Sequence, residues 1–112
     1  MSKVHGDVPY GTLDLMILKT LQARGPLHGF GLAREIEIVS EDLIRLNQGS
    51  IYPALLRLQQ RGLITASWGA SDSNRRAKFY TLSAAGRKQL GVETQSWRRT
   101  ALLVERFLAL ES

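Results

Sequence analysis

Apolar residues recur at helical spacing in four stretches of the chain and at alternating spacing in one. Leu13, Met16, Ile17 and Leu21 lie three or four apart, with Leu18 beside them, which predicts a first helix over 12–24 with one apolar face. Thr12 is its expected N-cap. Asp14 falls in the first turn, where the helix dipole favours a carboxylate, and Gly25-Pro26 ends the helix. Phe30, Leu32, Ala33, Ile36 and Val39 predict a second helix over 28–40. A third is expected over 50–61, with Ser50 as cap and Ile51, Leu55 and Leu58 as the buried stripe. Pro53 is placed in its first turn, where a missing N–H costs little, and Arg61-Gly62 closes it. Tyr52, Arg57 and Gln60 are left towards solvent or a ligand.

The period then shortens. Leu63–Trp68 is rich in strand formers, Gly69–Asn74 is a polar turn cluster, and Arg75–Leu82 alternates again. This predicts a hairpin with a six-residue tip, Tyr80 and Leu82 facing the core and Phe79 and Thr81 facing away. Ser83 caps a last helix over 84–110, ~40 Å long at 1.5 Å per residue. Its apolar positions continue to the end: Leu90, Trp97, Ala101, Val104 and Leu108, with Leu103, Phe107 and Leu110 beside them. So much apolar helix needs a partner surface, and a second copy of the chain is the simplest one. The order of elements predicts a mainly α (α+β) fold: a winged helix-turn-helix with a long C-terminal dimerisation helix. Residues 1–82 are expected to form the winged helix-turn-helix region, the part that would bind DNA, and 83–112 the dimerisation helix of one compact domain.

Charge sharpens this picture. The net charge is +5, but it is unevenly spread. Residues 57–99 carry nine Lys/Arg against only Asp72 and Glu93, whereas residues 1–56 are close to neutral. Such a block fits a polyanionic partner. Cysteine is absent, no apolar run reaches the ~18–20 residues a bilayer span needs, and Met1–Asp7 lacks the apolar stretch of a secretion signal. A cytoplasmic protein is expected. There is no nucleophile–base pair, phosphate loop or metal-ligand spacing, and His5 and His28 are the only histidines. No enzyme activity, cofactor or metal is expected.

A winged helix-turn-helix grips double-stranded DNA with three parts. The start of the third helix meets base edges, the second helix offers free N–H groups to a phosphate, and the wing reaches the backbone or minor groove with cations. The candidates for the first are Gln48, Gly49, Ser50 and Tyr52, with Asn47 adjacent. His28 and Gly29 open the second helix, and Asn74, Arg75, Arg76 and Lys78 arm the wing. Arg57 and Arg61 are either a solvated face or backbone contacts. A winged-helix module that binds only proteins is the other reading, against which the basic wing argues.

These residues also resemble a known family. Gly11-Thr12-Leu13-Asp14-Leu15, Gly25-Pro26-Leu27-His28-Gly29-Phe30-Gly31, and Asn47-Gln48-Gly49-Ser50-Ile51-Tyr52-Pro53-Ala54-Leu55 carry the likeness. So do Arg61-Gly62-Leu63-Ile64, Asn74-Arg75-Arg76-Ala77-Lys78-Phe79-Tyr80 and Leu82-Ser83 with Gly86. The chain resembles the PadR family of bacterial transcriptional regulators, in its short subclass with a single C-terminal helix, over about residues 9–110. Phe30 stands where that family often has tyrosine, so a hydroxyl is missing there. The resemblance implies a homodimer held by the C-terminal helices and bound to a two-fold symmetric operator, and the apolar positions Leu90, Trp97, Ala101, Val104, Phe107 and Leu108 are the expected seam. It further implies repression, relieved when a small aromatic or hydrophobic effector binds. Trp97 is either an anchor of the dimer seam or a contact for that effector.

Overall fold

Four helices and a small antiparallel sheet make up the computed structural model, which describes residues 11–112 and, at Gln48, the backbone alone. The elements are α1 (Thr12–Arg24), β1 (Leu27–His28), α2 (Gly29–Val39), α3 (Gln48–Gln60), β2 (Ile64–Ala70), β3 (Arg76–Leu82) and α4 (Ala84–Leu108). The N-terminal segment with His5 lies outside the described residues. The α+β winged-helix architecture and its long last helix are both present.

The core forms where the apolar stripes of α1, α2 and α3 meet the inner face of the hairpin. Ile17, Leu18, Leu32, Ile51, Leu55, Leu58 and Ile64 are almost wholly removed from water. Tyr80 and Leu82 are buried beside them, as alternation predicts. At the end of α3 the Gly62 N–H donates to the Gln59 carbonyl and the Leu63 N–H to that of Leu58. This two-bond closure needs a left-handed residue, and Gly62 supplies it at φ 74°. Ser83 caps α4 by accepting from the Gly86 N–H at 3.0 Å, and its hydroxyl donates to the Gly62 carbonyl at 2.7 Å. One serine therefore sets the start of α4 against the end of α3.

Four local expectations are corrected. Gly11, not Thr12, is the cap residue of α1, and no side chain caps that end. α3 starts two residues earlier than Ser50, because the Asn47 carboxamide oxygen accepts from the Ser50 N–H at 3.1 Å and so takes the cap position. Pro53 consequently sits in the second turn, and the Gly49 carbonyl loses its usual helical donor. The hairpin ladder runs on to Ala70↔Arg76, which shortens the tip to 71–75. That tip closes through Ser71 N–H to the Arg75 carbonyl and Asn74 N–H to the Ser71 carbonyl, both 2.8 Å, with Asn74 left-handed at φ 59°.

The sheet holds a third strand that alternation in so short a segment could not signal. Leu27 pairs with Tyr80 and His28 with Phe79, giving the order β1-β3-β2. This pairing ties the entrance of α2 to the wing. α4 ends at Leu108, slightly before the expected limit.

Burial, and secondarily the nearby Tyr52 phenol, pushes the Tyr80 hydroxyl above its ordinary value of 10.0. The neutral phenol is thus favoured by the fold. Its stabilising contribution is complete below pH 10 and is lost as the pH rises through the folded-state value. Thermal melts of the protein should therefore show a fall in stability above about pH 10 that is smaller in Tyr80→Phe.

Candidate nucleic-acid interface

Alternation along the hairpin decides which way its cations face. Ile64↔Leu82 and Ala66↔Tyr80 pair on the inner face of the sheet. The same face continues past the edge of the core as Trp68↔Lys78 and Ala70↔Arg76. Arg76 and Lys78 therefore share one side of the wing, and with Arg75 they border a groove of about 1090 Å³ that Gly29 and Tyr52 also line. Among the described residues, none of the three cations has a carboxylate partner. Glu35 and Asp72 line the same groove.

Arg76 is held by an aromatic ring. Its guanidinium carbon lies 4.7 Å from the centroid of the Trp68 ring, which is 60% exposed. A cation over an indole face is attracted by the ring quadrupole, worth about 0.5–1 kcal/mol at an exposed site. Trp68 escaped the sequence reading, although period-two counting from Ile64 places it on the same face as the cations.

The helix entrance is built differently from expectation. α2 begins at Gly29, and His28 is its cap: Nδ1 accepts from the Gly31 N–H at 2.9 Å. The imidazole thus occupies one of the donors that an open helix end would offer to a phosphate. It packs edge-on against Phe79, with ring centroids 5.4 Å apart. Gly29 matters for space. A Cβ there would lie 2.9 Å from the Tyr52 ring and its hydroxyl, so only glycine lets Tyr52 settle onto the first turn of α2.

On α3, Gly49 and Tyr52 are exposed. Ser50 is half-buried, and its hydroxyl lies 3.4 Å from the Asn47 carboxamide oxygen that caps the helix. This contact is longer than an ordinary O–H···O hydrogen bond, so it is weak. Asn74 and Arg75 lie at the wing tip, away from α3 in sequence but on the same groove in the case of Arg75. Nothing is described of the Gln48 side chain.

Arg57 is partly open to water and is also tied into the fold. Its guanidinium donates to Asp14 Oδ1 at 2.9 Å, bracing α3 against α1 across 43 residues of chain. Asp14 is 9% exposed, whereas the Arg57 side chain is partly open to water. Removing the cation strands a nearly buried carboxylate. Arg57→Ala should cost about 1–3 kcal/mol in denaturant unfolding, and Asp14→Asn in the same chain should restore part of it.

α4 contributes a second surface. Gly86 and Leu90 are buried, so Leu90, expected in the dimer seam, serves this chain's own core and has little area left for a partner. Beyond it Trp97, Val104, Phe107 and Leu108 are exposed, with Ala101 half-buried. Trp97 lines a second groove, of about 860 Å³, with Leu15 and Met16 of α1 and Ile36 of α2. No helix among the described residues is long and apolar enough to cross a membrane.

This geometry has close parallels. Residues 17–92 match the family model of the transcriptional regulator PadR-like family. A PadR-like transcriptional regulator from Bacillus cereus superposes with a TM-score of 0.75 at 30% identity, over 90% of this chain and 95% of that one. A PadR family transcription regulator from Clostridium difficile superposes with a TM-score of 0.75 at 28% identity, over 88% of this chain and 100% of that one. A 37.1 kDa transposon protein of Streptomyces fradiae is 36% identical over 84 residues, which are 75% of this chain but 23% of that protein. The match over most of the chain, with the same helices, wing and long last helix, places the protein in the PadR-like family of transcriptional regulators.

Proposed function

We propose that the protein is a sequence-specific DNA-binding repressor that acts as a homodimer on a two-fold symmetric operator. The observation that carries this reading is the wing. Three cations that have no carboxylate partner among the described residues border a groove that Tyr52 of α3 and the entrance of α2 also line. Phosphate contacts by Arg75, Arg76 and Lys78 supply affinity, and the exposed start of α3 supplies sequence preference. The α2 entrance at His28 and Gly29 flanks the phosphate path. Residues 83–112 join two such units, and an aromatic or hydrophobic effector would enter beside Trp97, in the groove that α4 shares with α1. The effector would shift DNA affinity only by binding one dimer geometry more tightly than the other.

Selection of bound duplexes from a random pool tests the reading. The expected result is an inverted repeat whose half-site centres lie about one helical turn, ~34 Å, or a simple multiple apart. No enrichment, together with no binding to random duplex at low salt, would favour the module that binds only proteins.

A further inference from the structure

We infer that α3 reads the 5-methyl group of thymine, with Leu56 as the specificity-determining side chain and Pro53 beside it. The inference rests on the DNA-binding reading and adds the chemical feature that is recognised. Ile51, Ala54, Leu55 and Leu58 of α3 face the core. The outward strip is Gly49, the adjacent Tyr52 and Pro53, Leu56 and Gln60, which advance by three or four residues along one side of the helix. Leu56 is 55% exposed, one turn beyond Tyr52, and Tyr52 borders the groove of the wing cations. The strip therefore runs along the helix from that groove.

What the strip lacks decides its chemistry. Among the described side chains it carries no cation and no carboxylate. The neighbouring Arg57 is held by Asp14 at 2.9 Å, and the Ser50 hydroxyl lies against Asn47. A forked contact to guanine takes an arginine or lysine, and the strip has neither. Tyr52 and Gln60 can hydrogen-bond an adenine or cytosine edge, whereas Leu56 and Pro53 offer a base apolar contact alone. The thymine methyl is the one apolar group that base edges present in the major groove, and an exposed leucine beside a proline complements it. An isolated surface leucine would need no explanation. This one continues an apolar strip beside a wing whose cations a duplex would neutralise and a second copy of the same wing would repel.

The experiment uses the full-length chain and an operator recovered by selection. Each thymine is replaced, symmetrically in both half-sites, by deoxyuridine, which lacks only the methyl group. Affinity is measured at fixed salt. At one or two positions per half-site the loss should be about fourfold per methyl, and so about fifteenfold for the symmetric pair, from the transfer free energy of one buried methyl group. Leu56→Ala should abolish that sensitivity while keeping the salt dependence of binding, and Leu56→Met should keep the sensitivity. Leu56 is a surface residue, so circular dichroism should show both variants folded. Operators without thymine in the half-site, deoxyuridine duplexes bound within twofold of the parent, or undiminished sensitivity in Leu56→Ala would each overturn the inference and leave DNA binding intact. Failure to bind any duplex would overturn both.

Discussion

With Val104 and Phe107 both changed to aspartate, the protein is expected to sediment as a monomer and to bind a two-half-site duplex about 10²–10⁴-fold more weakly. The reason lies in how little of α4 its own fold uses. The helix has 25 residues, about 37 Å at 1.5 Å per residue, yet only Gly86 and Leu90 are buried. Phe107 is 64% exposed, and Leu103, Val104, Leu108 and Leu110 are open beside it. On the proposed dimer reading this exposed apolar surface is the partner interface, and two such helices laid together would bury the ~1,000 Å² that a stable contact needs. Symmetry doubles each substitution, so four carboxylates would enter one apolar seam without counter-charges. Neither side chain belongs to the core of the wing domain, so helicity and melting of that part should persist. The weaker DNA binding follows because a monomer loses the effective concentration of its second reading helix. Sedimentation equilibrium and titration of the selected operator check the two halves of the prediction. A parent protein that is itself monomeric at tens of micromolar would sink it.

The other large effect is expected at the wing. Arg75→Ala, Arg76→Ala and Lys78→Ala combined should reduce operator affinity by about 10²–10⁴ at moderate salt and weaken random-duplex binding in parallel. Each phosphate neutralised contributes about −0.9 to the slope of log affinity against log salt. A dimer carries these three cations twice, so removing them all should flatten that slope by about five. Trp68→Ala alone should give a smaller loss in the same direction, because it leaves the charge of Arg76 but frees its position. Substitutions that instead changed which operator is preferred, with the salt slope intact, would move the wing from phosphate contact to base reading. Fluorescence anisotropy over a salt series separates the two outcomes.

Local signals and long-range ones fared differently. α1 was legible because Leu13, Ile17, Leu18 and Leu21 all serve one core at helical spacing. The inner face of the hairpin was legible from Tyr80 and Leu82, and the stop at Gly62 from the one residue type at ease with positive φ. Ser83 was legible as a cap. The start of α3 was not, because Asn47 and Ser50 compete on equal terms for the cap until the preceding loop chooses the entry direction. At the candidate interface, the identity of the wing cations could be read from the chain, but their company could not. His28 as a cap, Asn47 in place of Ser50 as the cap of α3, and Arg57 as a brace each emerged only with the fold.

Residue order alone was enough to establish periodicity, the stock of charge on the wing and an apolar last helix longer than its own domain can cover. These depend on neighbours within a turn or two, whose geometry the backbone dictates. Folding in three dimensions decided the rest: the pairing of Leu27–His28 with β3, Tyr52 seated on Gly29, the guanidinium of Arg76 over Trp68, and Asp14 bound to Arg57. Apart from the hairpin pair, each joins groups far apart in the chain, and all of them depend on how helices cross and how far a ladder extends. Crossing angles and ladder length follow from side-chain packing summed over the whole core, a quantity that no short window of residues contains.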